Sequence, residues 1–134
     1  MIRSLIVDDE PIACRVLATH LSKIPDVEVV AQCTKAMEAL RIVREEAIDL
    51  VFLDIEMPEL TGIGLAETLA PPPRVVFTTA HRDYALQGFE LDAVDYLLKP
   101  IGLPRLVRAI EKYRRLHPAD APTPAPDEAD APML

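Results

Sequence analysis

Five short apolar runs alternate with longer segments of mixed polarity over the first 116 residues. The run "SLIVDD" ends on two carboxylates. Pro11, whose fixed φ suits the first turn of a helix, then opens a segment with Ala13, Val16, Leu17, Leu21 and Ile24 on one face. "DVEVVAQ" predicts a second strand, and "KAMEALRIVREEA" predicts a helix with Ala36, Leu40, Val43 and Ala47 at helical spacing. "DLVFLD" carries apolar side chains on both faces, as the central strand of a parallel sheet requires. A short helix over about 63–69 leads through Pro71, Pro72 and Pro73 to a fourth strand, "RVVFTTA". A weaker helical pattern covers about 83–90, and "AVDYLLKP" is the fifth strand. Leu103, Leu106, Val107, Ile110 and Tyr113 form the apolar stripe of a last helix, cationic toward its end at Lys112, Arg114 and Arg115, as the helix dipole favours. Five such repeats predict an α/β fold: a doubly wound, five-stranded parallel sheet with right-handed crossovers.

The pattern stops near residue 117. "PADAPTPAPDEADAPML" is almost all proline, alanine and acid, too poor in apolar surface to offset its ordering entropy. The chain is therefore divided into a domain over 1–117 and an extended Pro/Ala/acidic linker or disordered tail over 118–134. Of the net charge of -8, the tail's four acids and no bases carry half, leaving 14 bases against 18 acids in the body. That balance argues against a direct grip on nucleic acid by this chain. No apolar run has the length of a membrane span, and "MIRSLIVDDE" is no signal peptide. Cys14 and Cys33 lack metal-ligand spacing and read as buried thiols in a reducing cytoplasm.

Ligands of such sheets bind beyond the carboxyl ends of the strands. There the chain places Asp8, Asp9 and Glu10 after strand one and Asp54 after strand three. Thr78 and Thr79 end strand four, and Lys99 and Pro100 end strand five. Each motif alone has a plainer account: "DDE" as a helix cap, "TT" as strand propensity, "KP" as a strand stop. Their joint placement is what carries meaning. Carboxylates at two adjacent strand ends repel one another unless a cation sits among them, and hard oxygen ligands suit Mg²⁺. Lys99 would neutralise phosphoryl charge, and a threonine hydroxyl could bond one of its oxygens. This set suits transfer of a phosphoryl group onto Asp54 as nucleophile. His20 and His117 sit near helix ends and read as solvated; His81 lies near the site mouth with no Ser or Cys nucleophile beside it. The four glycines form no phosphate-binding loop.

The motifs "LIVDDE", "LDIEMPELTG", "FTTA" and "DYLLKPI" resemble the receiver domain of two-component response regulators over residues 2–116. The stretch "TTAHRDYALQGFELDAVDYLLKPI" is similar to the LytTR (LytR/AlgR) branch, whose receivers usually precede a DNA-binding domain. The resemblance implies a flavodoxin-like fold of strand order 2-1-3-4-5. It implies that Asp54 accepts phosphate from a sensor histidine kinase. Asp8, Asp9, Asp54 and the backbone carbonyl of Glu56 would hold Mg²⁺. It also implies Thr79 as the switch hydroxyl, Lys99 as the phosphoryl partner through a cis bond to Pro100, and Tyr96 as the aromatic that turns inward with Thr79. The side chains of Glu56 and His81 stand where the family varies, and would tune the lifetime of the phosphate.

The expected function is a cytoplasmic signalling switch rather than an enzyme with a separate substrate. Phosphorylation would alter the surface of the fourth helix, fifth strand and last helix, favour a homodimer, and control transcription through a LytTR-type output. A stand-alone receiver in a phosphorelay is the alternative. An aspartyl-phosphate hydrolase fits less well, because Asp8 and Asp9 are adjacent rather than spaced as Asp-x-Asp.

Overall fold

The computed structural model describes residues 1–57, 62–69, 73–81 and 93–117. The helix expected over 83–90 and the tail over 118–134 lie outside these residues. The strands are β1 (Ile2–Val7), β2 (Val27–Cys33), β3 (Leu50–Asp54), β4 (Arg74–Thr79) and β5 (Asp95–Leu98). Between them run α1 (Pro11–Leu21), α2 (Ala36–Glu45) and α3 (Gly62–Thr68), and the C-terminal helix spans Leu103–Leu116. All strand pairs are parallel in the order β2-β1-β3-β4-β5, the doubly wound, flavodoxin-like arrangement.

β3 is buried at every position, as its unbroken apolar run requires. Alternate side chains serve two cores. Ile6, Phe52 and Leu97 pack with Leu21 of α1 and with Leu106, Ile110 and Tyr113 of the C-terminal helix. Val7, Leu53 and Phe77 pack on the other face with Ala39 of α2 and Leu65 of α3. Among the described residues no helix is long and apolar enough to cross a membrane.

Helix phase differs from the expected stripes. Pro11 does open α1, but the buried positions are Cys14, Leu17 and Leu21, while Val16 is 48% exposed. Val16 adjoins Leu17 and so lies about 100° round the helix from it. Ile24 is buried beyond the helix end. In α2 Ala36, Ala39 and Ile42 face the sheet; Leu40 and Val43 flank them, and Ala47 is exposed past the helix. Neither terminal histidine is simply solvated. His20 encloses its Nδ1, and His117 stacks on Tyr113 with ring centres 4.4 Å apart.

β5 and the C-terminal helix are tied by a charge cluster. Asp95, only 6% exposed, accepts two hydrogen bonds from the Arg105 guanidinium, both 2.8 Å. It also accepts one from the Tyr96 amide, and Lys112 Nζ lies 3.3 Å away. Arg105 donates further to the Tyr96 carbonyl at 3.3 Å. Burial pushes the Asp95 carboxyl up, but the guanidinium, the amide and Lys112 outweigh it and hold it below its ordinary range.

Asp95→Asn should lower stability at neutral pH by about 1–2 kcal/mol, a loss moderated by the partial exposure of both cations. A depressed carboxylate stabilises the fold above its unfolded pKa. The deficit of the variant should therefore persist at neutral pH and close as the pH falls below 3.8. Denaturant titrations across that range would measure it.

Candidate functional site

The site forms at the carboxyl ends of β1, β3 and β5, with the end of β4 lying between the last two. A chain that leaves a buried strand must satisfy its amides, and two aspartates do so here. Asp8 Oδ1 accepts from the Glu10 amide at 3.0 Å, and Asp54 Oδ1 accepts from the Glu56 amide at 3.1 Å. These local turns re-aim the chain and hold both carboxylates inward. The cap reading of "DDE" is thereby excluded for α1, since the N-cap residue Glu10 makes no side-chain cap bond.

Asp8 and Asp54 are 4% and 3% exposed. From β5, Lys99 Nζ reaches Asp8 Oδ2 at 2.7 Å and Asp54 Oδ2 at 3.6 Å. Lys99 is bonded to Pro100 through a cis peptide. Burial alone would lower the lysine pKa, but its bond to Asp8 and the charges of Asp8 and Asp54 raise it, so it is a fixed cation. One cation does not balance the cluster. Burial foremost, with Asp8 adding its charge and Asp9 its side-chain contact, pushes Asp54 up to about 6 against the pull of the Glu56 amide and Lys99.

The donor set fits a hard divalent cation. Carboxylate oxygens of Asp8, Asp9 and Glu10 lie within 4.8 Å of one another, and Asp9 also contacts Asp54. Glu10 thus joins the acidic cluster beside the expected aspartates, as its place in "DDE" allowed.

The two threonines diverge. Thr78 pairs with Asp54 in register, and with Asp8 and Lys99 it lines a cavity of about 300 Å³ that opens toward α1. Thr79, fully buried, belongs to the alternate face. Its hydroxyl donates to Glu56 Oε1 at 3.2 Å and accepts from the His81 amide at 3.0 Å. Glu56 Oε2 lies 3.1 Å from His81 Nε2. Tyr96 stacks on Phe77, with ring centres 5.4 Å apart, on the same face as Thr79. Asp8, Asp9, Asp54 and Lys99 therefore meet at one point, with Thr79 and Tyr96 alongside but facing away. The bond from Thr79 to Glu56 was not foreseen. The register of Asp54 against Thr78 was its signal, because residues two past Asp54 and one past Thr78 then emerge together.

The chain matches the family model for the response regulator receiver domain over residues 4–111. An uncharacterized response regulatory protein of Shewanella oneidensis is 44% identical over 117 residues, which is 86% of this chain and 50% of that protein. The transcriptional regulatory protein BtsR of Escherichia coli K12 is 42% identical, over 86% of this chain and 49% of its own length. The chain spans about half the length of these curated relatives. Among solved structures, the response regulatory domain of mrkE from Klebsiella pneumoniae superimposes with a TM-score of 0.76 at 31% identity, covering 86% of this chain and 97% of that one. TrrA of Thermotoga maritima, solved in complex with Mg²⁺ and BeF, gives a TM-score of 0.75 at 28% identity, over 84% and 99% of the two chains.

An acid whose folded pKa is raised favours the fold while protonated, and that contribution is lost as the pH climbs through about 6. Asp54→Asn should accordingly stabilise the metal-free protein by about 2 kcal/mol above pH ~7 and hardly at all near pH ~4. Urea unfolding at several pH values would show it. Added Mg²⁺ should shrink the gain by stabilising the wild type.

Proposed function

Because the chain belongs to the response regulator receiver family, we propose that it is a signalling switch set by phosphorylation of Asp54. One observation carries this reading: a carboxylate 3% exposed, at the end of the central strand, bracketed by a half-buried lysine and an acidic cluster. Such a group contributes nothing to packing and costs stability, which a reactive role accounts for.

In the proposed reaction an Asp54 oxygen attacks the phosphorus of a phosphohistidine on a sensor histidine kinase. The P–O bond forms as the P–N bond breaks, and the imidazole leaves and takes up a proton. Asp8, Asp9, Asp54 and the Glu56 backbone carbonyl would hold Mg²⁺, which when bound offsets charge on the phosphoryl oxygens. Lys99, at 3.6 Å from Asp54, is placed to exchange part of its pairing with Asp8 for a phosphoryl oxygen. Thr79 must leave Glu56 to reach the same group. Tyr96, stacked beside it, would then turn inward and alter the surface of β5, the C-terminal helix and residues 83–90.

The domain extends over 1–117, with 118–134 as a linker or tail. The protein acts in the cytoplasm, has no turnover of a separate metabolite, and dimerises on activation through that surface. The likeness to BtsR, a transcriptional regulatory protein of which the chain covers 49%, supports an output in transcription. The similarity of "TTAHRDYALQGFELDAVDYLLKPI" to the LytTR branch is what points to a LytTR-type DNA-binding partner domain. The second reading, a phosphorelay receiver acting through protein contacts, shares the same site.

Mass spectrometry after incubation with Mg²⁺ and acetyl phosphate should find one phosphoryl group on Asp54. Asp54→Asn should reduce it at least roughly a hundredfold with the fold intact. A phosphorylated Asp54→Asn protein would refute the assignment. Thr79→Ala should leave phosphorylation but abolish the beryllofluoride-dependent shifts at Tyr96 and the C-terminal helix. If Thr78→Ala abolished them instead, the neighbouring hydroxyl would be the switch.

A further inference from the structure

Thr79 is fully buried, yet its hydroxyl is turned toward a carboxylate that is not. It donates to Glu56 Oε1 at 3.2 Å, has the His81 carbonyl at 3.4 Å as a second acceptor, and accepts from the His81 amide at 3.0 Å. The other Glu56 oxygen lies 3.1 Å from His81 Nε2. Glu56 also donates its amide to Asp54 Oδ1 at 3.1 Å. One residue thus touches the nucleophile with its backbone and the Thr79 hydroxyl with its side chain. The chemistry proposed above draws on the backbone of Glu56, not on its carboxylate.

The main chain around these groups is pinned. The Ile55 amide donates to the Thr78 carbonyl at 3.0 Å, and the Lys99 amide donates to the Thr79 carbonyl at 2.7 Å. What remains free at Thr79 is χ1, and a β-branched side chain has a few discrete staggered rotamers rather than a continuum. A buried hydroxyl without a partner is costly, so each rotamer is populated according to the bonds it finds. Here those bonds lie on the side of Glu56, and a rotamer that serves a phosphoryl group on Asp54 competes with them. The Glu56 side chain is 36% exposed and that of His81 61%, so water weakens the contact and keeps the bias modest. A binding-competent state held at a fraction of the population lowers the apparent affinity by that fraction.

We infer that the Glu56 carboxylate, positioned by His81, is a latch that holds the Thr79 hydroxyl in its resting rotamer and so sets the threshold of the switch. The inference rests on the phosphorylation of Asp54 proposed above and adds a means of regulating that site. It concerns the resting equilibrium, not the lifetime of the phosphate once formed. Glu56 and His81 act here as positioning residues, through Thr79. Releasing the latch raises the affinity for a phosphoryl-like anion without adding any contact to it.

Measurements on the full chain test it in both states. In the metal-free protein, three-bond couplings to the Thr79 γ-methyl should report a single χ1 rotamer, and an average over rotamers in Glu56→Ala. Beryllofluoride binding in saturating Mg²⁺, followed by fluorine NMR, supplies the second readout. Glu56→Ala should tighten it at least roughly threefold more in the wild-type background than in Thr79→Ala. Loss of a negative charge beside an anion acts in both backgrounds, so the ratio isolates the latch. His81→Ala keeps both backbone contacts to Thr79 and should give a smaller ratio in the same direction. A ratio of one for Glu56→Ala would overturn the inference, as would a Thr79 rotamer already averaged in the wild type. A ratio of one for His81→Ala would overturn the part given to the imidazole. Beryllofluoride binding that survives Asp54→Asn would overturn the switch reading itself, and the latch with it, whatever the ratios.

Discussion

The contact between Lys99 and Asp8 is what lets three strand ends meet. Without it, two nearly fully buried aspartates from β1 and β3 would face each other with nothing but backbone amides to hold them. An isolated buried carboxylate costs several kcal/mol, and two like charges cost more. The lysine of β5 offsets part of that cost, at 2.7 Å from one and 3.6 Å from the other. The compensation is incomplete, as the raised pKa of Asp54 shows. A site left short of positive charge would favour a further cation and, with it, an anionic phosphoryl group. Incomplete neutralisation is thus the property on which the proposed chemistry would draw.

The fold supplies the convergence. In a parallel sheet all strands end on one side, so residues distant in sequence are brought together by topology alone. The apolar run of β3 fixes it at the centre, with β1 and β4 as neighbours. Asp54, the carboxyl-terminal residue of that strand, is thereby held at the rim almost as buried as the core beneath it.

Much of this was legible in the amino-acid sequence, for identifiable reasons. Apolar runs ending in Asp8, Asp54, Thr79 and Lys99 mark strand ends directly, and their convergence follows once the sheet is parallel. Helix phase was less legible. Val16 and Cys14 are both apolar and only two positions apart, and packing against β2 rather than hydropathy decides which is covered. Charge pairing was not legible at all. No apolar spacing or motif marks Asp95 as a buried carboxylate, yet through Arg105 and Lys112 it clamps the helix to its strand. The orientation of Thr79 toward Glu56 also depends on side-chain rotamers, about which residue identities are silent.

That clamp constrains how a message can leave the site. Tyr96 follows Asp95, and Arg105 grips the carboxylate of one and the carbonyl of the other. The main chain at this point is anchored to the C-terminal helix on both sides of the peptide unit. In the proposed switch, a change at Thr79 would therefore meet a fixed axle on which the Tyr96 ring can turn, and not a strand free to slide. The message would then pass as a torsion of one side chain, with the backbone serving as its bearing.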